Sequence, residues 1–326
     1  MKILAPLRSS AEVGPLLEAG ADEFFCGLTP PGWESRFGPA WPNRRSPQAA
    51  GVPDGSDFAR IIALADGRPV YVTLNAPQYP PGAVGLLADF GSQLLDKGAS
   101  GLIVADMDLL LALVEAGFGP RIHVSSLATC TNTQAATFYR DLGISRVILP
   151  RHLTLNEIEA ILIPGLAFEV FLLNDGCVFE EGLCATTHAA GAFCLLDGEG
   201  TEGISPETLE RYAFWKWTLT HCGCRTGNNG YPLGPCGLCA LPRLIRAGIT
   251  SFKVVGREAS LARKEASVRI ASLALRLAQG GEGPEEIRCE VVNLRGFAEM
   301  CDQRHLCYYP DVWETRADKE PACPRH

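Results

Sequence analysis

Seven cysteines lie between residues 177 and 239, in a part of the chain that interrupts a regular strand–helix pattern. Because thiolates from several turns must converge on one centre, this density is typical of a metal or iron–sulfur site. Two of them form a Cys-x-x-Cys turn at the start of a predicted helix, whose terminal N–H groups favour the thiolate form. The seven are Cys177, Cys184, Cys194, Cys222, Cys224, Cys236 and Cys239.

The spacing of these cysteines leaves the type of centre open. Any four of them would satisfy a tetrahedral zinc ion or a [4Fe–4S] cluster. Zinc ribbons usually carry two Cys-x-x-Cys pairs, and this region has one pair with wide gaps elsewhere, which favours the cluster and keeps zinc as the alternative. Two isolated cysteines, Cys130 and Cys289, are predicted to fill the core, because free cysteine is often buried.

Length and composition predict a large cytosolic protein. The chain has 326 residues, is 47% hydrophobic and carries a formal net charge of −8. No signal peptide or apolar run of roughly eighteen residues is visible, so we expect a cytoplasmic chain without a membrane span. A reducing compartment disfavours disulfides among the thirteen cysteines. The acidic balance makes RNA a less favoured partner than a small molecule.

Short β-branched segments alternate with amphipathic helical segments from the first residue onward. Eight apolar strands joined by helical crossovers predict a parallel sheet closed into a TIM-like (β/α)8 barrel, of class α/β. An open doubly wound sheet is less favoured, because no glycine-rich dinucleotide motif follows the first strand. The predicted strands are residues 2–6, 23–28, 70–75, 101–105, 121–125, 146–150, 167–173 and 251–255.

Two segments interrupt the pattern and set the predicted domain organisation. Residues 30–55 form a Pro-, Gly- and Arg-rich loop after the second strand, and residues 175–240 form a cysteine-rich insertion after the seventh. Both would lie at the C-terminal face of the barrel, where such enzymes place their chemistry. We therefore expect a barrel over residues 1–280 and a C-terminal tail or small appendage over 281–326.

Polar residues at the strand ends are candidate substrate contacts. Lys253 lies in the eighth strand and Arg257 follows it, Arg151 follows the sixth strand, and an arginine can bind a carboxylate through two hydrogen bonds. They predict an anionic ligand, with a salt bridge to Glu169 or Asp175 as the structural alternative for Lys253 and Arg257. No serine-hydrolase or His-Glu-x-x-His motif is present. The other strand-end candidates are Asn75, Asp106, Ser125, Ser126, His152, Asn174 and Asp175.

Several blocks, in order, resemble the U-32 (collagenase-like) peptidase family over residues 1–277. The segment from His123 to Asn132, followed by residues 138–151, resembles the central block of that family. The Glu-x-Phe strand matches Glu169 to Phe171, and the Lys-Ile-Glu-Gly-Arg strand matches Lys253 to Arg257. The cysteine pair of the family falls on Cys177 and Cys184.

The resemblance implies a TIM-like barrel that holds a [4Fe–4S] cluster and, in several members, hydroxylation without molecular oxygen. The substrates of such members are RNA pyrimidines or the ubiquinone ring, with prephenate proposed as oxygen source. It implies Cys177 and Cys184 as ligands, then Cys236 or Cys239, then Cys194 in preference to Cys224. The chain departs from the family where His152 and Val255 replace two glutamates and where Leu173 replaces a histidine.

These observations predict an iron–sulfur protein that supports oxygen-independent hydroxylation of a small aromatic or nucleobase substrate. Arg151, Lys253 and Arg257 would hold an anionic donor beside the cluster. One alternative is a metallopeptidase-like hydrolase with zinc. Another is a non-catalytic iron–sulfur subunit that binds a partner barrel of the same family.

Overall fold

The computed structural model describes residues 1–38, 40–174, 182, 205–207, 210, 226–227, 229–296, 298, 301 and 306–313. The five cysteines Cys177, Cys184, Cys194, Cys222 and Cys224 of the cysteine-rich insertion therefore lie outside the described residues. Asp175 lies outside them as well.

Eight parallel strands close into a barrel, as the sequence predicts. Each strand pairs with its sequence neighbours, and the barrel closes where Leu4 of the first strand faces Lys253 of the last. Most strand residues are buried, because helices cover the outer face and side chains fill the interior. The strands are β1 (Lys2–Pro6), β2 (Glu23–Gly27), β3 (Val70–Leu74), β4 (Gly101–Val104), β5 (Ile122–Val124), β6 (Arg146–Ile148), β7 (Ala167–Leu173) and β8 (Ser251–Val254).

Helices follow the strands, and several begin at the caps that the sequence provides. Asp54, Asp106, Asn132 and Ser260 each accept a hydrogen bond from the first turn, and Thr154 forms a capping box with Glu157. The helices are α1 (Val13–Ala19), α2 (Trp33–Phe37), α3 (Pro47–Ala50), α4 (Gly55–Leu64), α5 (Ala83–Asp96), α6 (Met107–Glu115), α7 (Thr133–Asp141), α8 (Leu155–Ile161), α9 (Leu241–Ala247), α10 (Leu261–Gln279) and α11 (Pro284–Arg295).

The segment after β2 is more ordered than the predicted long loop. It contains the short helices α2 and α3. Trp33 donates from Nε1 to the carbonyl of Ala40 at 2.5 Å, and the hydroxyl of Tyr79 donates to the carbonyl of Pro42 at 2.6 Å. These bonds fix the segment against the residues that follow β3.

The barrel interior contains a buried ionic layer. Arg146 of β6 bonds Glu23 with both terminal nitrogens, at 2.8 and 3.0 Å, and Glu169 at 3.1 Å. Burial alone would raise the pKa of Glu23 and lower that of Arg146, but their mutual bonds reverse both effects, so both groups remain charged. Among the described helices, none is both long and apolar enough to cross a lipid bilayer.

Candidate functional site

A cationic cavity of about 80 Å³ opens at the C-terminal ends of the strands. We call it the mouth cavity. Among the described residues that line it, five are lysine or arginine and none is aspartate or glutamate. The cations are Arg44, Arg45, Arg151, Lys253 and Arg257. Positive charge concentrated in a low-dielectric cleft attracts an anionic ligand, although the whole chain is acidic.

Arg257 is the most tightly positioned of these cations. Its side chain is buried and donates to Thr73 Oγ1 at 3.1 Å and to Asn43 Oδ1 at 3.0 Å. Gly27, at the end of β2, leaves the space that this guanidinium occupies, because a Cβ atom there would lie 2.1 Å from Nη1. Gly27 therefore helps to position Arg257, because it has no side chain that would displace the guanidinium.

Lys253 is paired with an acid, as the structural alternative predicts. Its Nζ lies 2.9 Å from Glu169 Oε1 and 4.3 Å from the centroid of the Phe25 ring. Burial lowers the pKa of Lys253, and the ion pair with Glu169 opposes that decrease. Since Glu169 also accepts from Arg146, this pair connects the mouth cavity to the ionic layer below it.

Arg151 lies over an aromatic ring at the rim. Its guanidinium carbon is 4.3 Å from the centroid of the Phe171 ring, within the range of a cation–π contact. Phe25, Ile103, Ile148 and Phe171 supply apolar walls to the cavity. The site therefore combines cations with flat apolar surfaces on which an aromatic ring could lie.

Polar side chains at the ends of β3 and β5 complete the wall. Asn75 donates to Ser125 Oγ at 3.3 Å, and its own Oδ1 accepts from the backbone N–H of Arg44 at 3.5 Å. Arg45 pairs with Glu258 at 3.2 Å. These contacts join the segment after β2 to the barrel and place its two arginines at the mouth.

The predicted strand-end residues divide into two groups. Asn75, Ser125, Ser126, Arg151, Lys253 and Arg257 line the mouth cavity as expected. Asp106 instead caps α6, and Asn174 donates to Ser267 Oγ at 3.0 Å and to the carbonyl of Val255. His152 is exposed and does not line the cavity. Arg44 and Arg45 were not among the candidates, although the arginine content of residues 30–55 was the available signal.

A second cavity, of about 40 Å³, contains four cysteines. We call it the thiol cavity. Cys236 and Cys239 line it from the start of α9, and Cys301 and Cys307 line it from the C-terminal part of the chain. None of these four cysteines forms a disulfide bond. Thiolates are the ligands that zinc and iron–sulfur clusters use, so the donor types fit such a group.

The surroundings of the thiol cavity are largely apolar, with two arginines. Burial is the largest cause of a raised pKa of Cys239; the nearby Cys236, Cys301 and Cys307 raise it further and Arg288 lowers it. Arg295 donates to the carbonyls of Pro232 and Gly234. Among the described residues, no group of three or more histidine, cysteine, aspartate or glutamate side chains is placed to hold a metal ion.

The other cysteines differ in environment. Cys26 and Cys130 are fully buried, and burial raises the pKa of each thiol to about 12, which confirms core filling for Cys130. Cys289, on α11, is disulfide-bonded, contrary to the prediction that it is a core thiol. Neither Cys301 nor Cys307 was a predicted ligand, since both lie far along the chain from the insertion.

Comparison with known proteins places the chain in a family. The model of peptidase family U32 matches residues 9–309, so the chain belongs to that family, as the sequence blocks predict. Its eight-stranded barrel provides the scaffold on which the mouth cavity is built.

Curated relatives are named for RNA modification. A 23S rRNA 5-hydroxycytidine synthase of Escherichia coli (strain K12) is 26% identical over 79% of this chain and 36% of its own length. The tRNA hydroxylation protein P2 of Bacillus subtilis (strain 168) is 27% identical over 78% of this chain and 79% of its own. The tRNA hydroxylation protein P of Escherichia coli is 30% identical over 37% of this chain and 27% of its own. The chain thus spans about a third of the first relative.

Proposed function

We propose that this protein hydroxylates a nucleobase of RNA without molecular oxygen and that it does so as an iron–sulfur protein. The observation that carries the proposal is the mouth cavity: five cations, no described acid among its lining residues, and apolar walls, in a family whose curated relatives are named for rRNA and tRNA hydroxylation. The negative net charge of the chain favoured a small molecule over RNA as substrate. The mouth cavity is positively charged, and RNA therefore becomes the favoured substrate.

The residues of the mouth cavity would bind and orient the reactants. Arg257, held by Thr73 and Asn43, presents a fixed guanidinium that can grip a carboxylate or phosphate through two parallel hydrogen bonds. Arg151 lies against Phe171 and would contribute a second charge at the rim. The ion pair with Glu169 offsets part of the charge of Lys253. The main role of Lys253 would therefore be to hold the floor of the cavity in place.

The aromatic substrate would lie against the apolar wall. Phe25 and Phe171 face the cavity, and base–aromatic stacking contributes about 1–3 kcal/mol per base. Asn75 and Ser125 lie at the ends of β3 and β5, on either side of β4, and can donate to polar atoms of a base or of a co-substrate. Such a pocket accepts a base that has left its stack, as enzymes acting on bases require.

The iron–sulfur cluster is proposed from the cysteines of the chain, because thiolates are the ligands of such clusters. Cys177, Cys184 and Cys194, with Cys236 or Cys239, would hold it. When bound, it would supply one-electron transfer, and an anionic oxygen donor in the mouth cavity would act as the oxidant, giving its oxygen to the base and being itself reduced by two electrons. Zinc in the same cysteines is the alternative, and it would fit hydrolysis.

The test compares the RNA of cells that lack this chain with that of cells that express it. Total rRNA and tRNA are digested to nucleosides and measured by mass spectrometry, and the chain is purified anoxically for iron, sulfide and zinc determination. Loss of one hydroxylated pyrimidine, restored by expression and accompanied by iron in the protein, is expected. Unchanged nucleosides would refute the RNA assignment, and zinc with peptide-bond hydrolysis would support the peptidase alternative.

Hydroxylation measured with purified proteins distinguishes an enzyme that acts alone from a subunit that needs a partner. The replacement of two family glutamates by His152 and Val255 is the observation that favours it. If hydroxylation by the purified chain requires a second barrel of the same family, the chain is a subunit. Turnover by the chain alone would exclude that role.

A further inference from the structure

Residues 40–45, which we call the rim loop, lie between α2 and α3 and border the mouth cavity. The carbonyl of the residue before Trp41 accepts from Trp33 Nε1 at 2.5 Å, and the carbonyl of the residue after it accepts from the hydroxyl of Tyr79 at 2.6 Å. The rings of Trp33 and Tyr79 also contact each other, with centroids 6.2 Å apart. The backbone on both sides of Trp41 is therefore fixed.

The C-terminal end of the rim loop is fixed to the mouth cavity itself. Asn43 Oδ1 accepts from Arg257 Nη2 at 3.0 Å, and the backbone N–H of Arg44 donates to Asn75 Oδ1 at 3.5 Å. Arg44 lines the cavity. Trp41 therefore lies two residues before the side chain that holds Arg257 and three residues before a cation of the mouth.

Two side chains of the rim loop are not used by the fold in the part of the chain that the structure describes. The Trp33 indole packs and donates a hydrogen bond, whereas the partly exposed Trp41 makes no ring contact or side-chain hydrogen bond there. Arg45 pairs with Glu258, whereas the guanidinium of Arg44 has no ion pair or hydrogen bond with a described residue. An aromatic ring and a cation are therefore available to a ligand.

The size of the mouth cavity means that an RNA strand would have to cross its rim. A volume of about 80 Å³ leaves room for one base-sized group at most and not for a polynucleotide. The nucleotides next to an inserted base therefore lie outside the cavity, where the rim loop borders it. Aromatic rings bind unpaired bases by stacking, and arginine binds phosphate through charge-assisted hydrogen bonds.

Charge favours RNA over an uncharged aromatic ligand as the occupant of the rim. Residues 30–55 contain three arginines and two acidic residues, in a chain whose formal net charge is −8. Two of the three arginines line the mouth cavity. Positive charge is therefore concentrated close to Trp41 in the chain, on the side where the phosphates that flank an inserted base would lie.

We propose that Trp41 and Arg44 bind the nucleotide next to the base that enters the mouth cavity, and that the substrate is single-stranded at this point. The inference rests on the proposed function, which it deepens. Trp41 stacks on the neighbouring base and Arg44 contacts its phosphate, since three residues of chain span at most about 11 Å, the scale of one nucleotide. In a duplex the faces of that base are already stacked, so only a loop, bulge or free end offers one to Trp41.

The test measures binding of a short fluorescein-labelled RNA to the full chain by fluorescence anisotropy, both as a single strand and as a duplex of the same sequence. Trp41→Leu should weaken binding of the single strand about 5- to 100-fold, because the stacking of one base is lost. Binding of the duplex should not change. Trp41→Phe should keep most of the affinity, since a phenyl ring still stacks. Phe138→Leu, on α7 with its residue 46% exposed, is the matched control and should bind as the parent chain does.

The salt dependence of binding separates the charge of the rim loop from its stacking. Arg44→Gln should reduce the magnitude of the slope of log K against log salt by about 0.7, the contribution of one phosphate contact to a single strand. Trp41→Leu should leave that slope unchanged, because it removes no charge. An unchanged slope for Arg44→Gln would refute the phosphate contact.

Three results would overturn the inference. One is equal binding of the single strand by Trp41→Leu and the parent chain, and another is a parent chain that prefers the duplex or binds neither RNA. The third is an equal loss of affinity in Trp41→Leu and Trp41→Phe together with a lowered urea midpoint in both, which would make Trp41 a structural residue.

Failure of the inference is distinguishable from failure of the proposed function, because binding requires no turnover. Binding of the single strand that depends on Trp41, with unchanged nucleosides in cells that lack the chain, would refute hydroxylation alone. Full restoration of the hydroxylated nucleoside by Trp41→Leu, with binding equal to that of the parent chain, would refute the role of Trp41 alone.

Discussion

The mouth cavity and the thiol cavity both lie next to β7 and are built in different ways: Phe171 of β7 lines the first, and Cys236, which lines the second, pairs with Leu173. The mouth cavity takes most of its side chains from strand ends or from residues directly after them, so its position follows from the barrel itself. The thiol cavity takes its cysteines from residues 236 to 307, which meet where Leu306–Trp313, the return segment, packs against Cys236 and β7. The first site is supported by the core, and the second depends on long-range docking.

The two cavities also differ in the charges around them and in the interactions that hold their residues in place. Below the mouth cavity, Arg146, Glu23, Glu169 and Lys253 form a connected buried network. Next to the thiol cavity, backbone hydrogen bonds join Cys236 to Leu306 and Tyr308, and the hydroxyl of Tyr309 donates to the carbonyl of Phe171. Changes in the ionic layer should therefore disturb the whole barrel, whereas changes near the thiols should act on the return segment.

The largest effect is expected from Arg146→Met. The change leaves Glu23 and Glu169 buried without their guanidinium partner, which typically costs about 3–5 kcal/mol in the free energy of unfolding. Urea denaturation measures it. Arg60→Met is the matched control, since Arg60 forms an ion pair with Asp57 while its own side chain is 61% exposed, and we expect a loss under about 1 kcal/mol. Equal losses for the two variants would contradict the importance of the buried layer.

The next largest effect concerns Arg257. Arg257→Met should lower the yield of hydroxylated nucleoside by about 10- to 100-fold, because a charge-assisted hydrogen bond contributes about 1.5–3 kcal/mol. Gly27→Ala should give a similar reduction by displacing the guanidinium without removing it. Arg269→Met, at an exposed position of α10, serves as the control. Wild-type yield from both site variants would remove Arg257 from the proposed mechanism.

A moderate effect is expected at the thiol cavity. Gly237→Ala forces a methyl group against the ring of Tyr309 and should cost about 1–3 kcal/mol, as overpacking usually does. Limited proteolysis should cut the return segment sooner, while anion binding at the mouth stays unchanged. Gly85→Ala, within α5 and with no atom near the added Cβ, should instead stabilise the chain slightly. A protease pattern identical to that of the parent chain would argue against this docking.

The smallest effect is a pH dependence from the barrel interior. Burial, with smaller contributions from Arg146 and Lys253, lowers the pKa of His123 well below its ordinary value of 6.5. Below pH 6.5 the unfolded chain therefore binds a proton that the folded chain excludes, and stability falls as the pH falls. Between pH 7.5 and 5.5 the loss should be about 1 kcal/mol.

Variants at two histidines isolate that contribution. His123→Gln should reduce the difference between urea midpoints at pH 7.5 and 5.5, whereas His152→Gln, at an exposed position, should preserve it. An unchanged difference in the His123 variant would mean that other groups cause the acid sensitivity.

The strands were predictable because each is a short, nearly continuous apolar segment. The predicted and observed bounds of β1 and β7 coincide, and those of the other strands differ by one or two residues where the chain turns into a loop. Arg151, Lys253 and Arg257 could be identified because residues near or just after the C-terminal end of a barrel strand lie at the same end of the barrel. Arg44 and Arg45 lie inside a long connection, whose path is not determined by local periodicity.

The sequence alone determined the barrel, the family and the cations at the strand ends, because apolar periodicity and caps act over a few residues at a time. Only the tertiary structure decided that Lys253 is paired with Glu169 and that Cys236 and Cys239 share a cavity with Cys301 and Cys307. Cysteine spacing along the chain carries no information on which distant turn folds back onto a given strand. That choice is made by backbone bonds and packing between segments about seventy residues apart, such as those between Cys236 and the return segment.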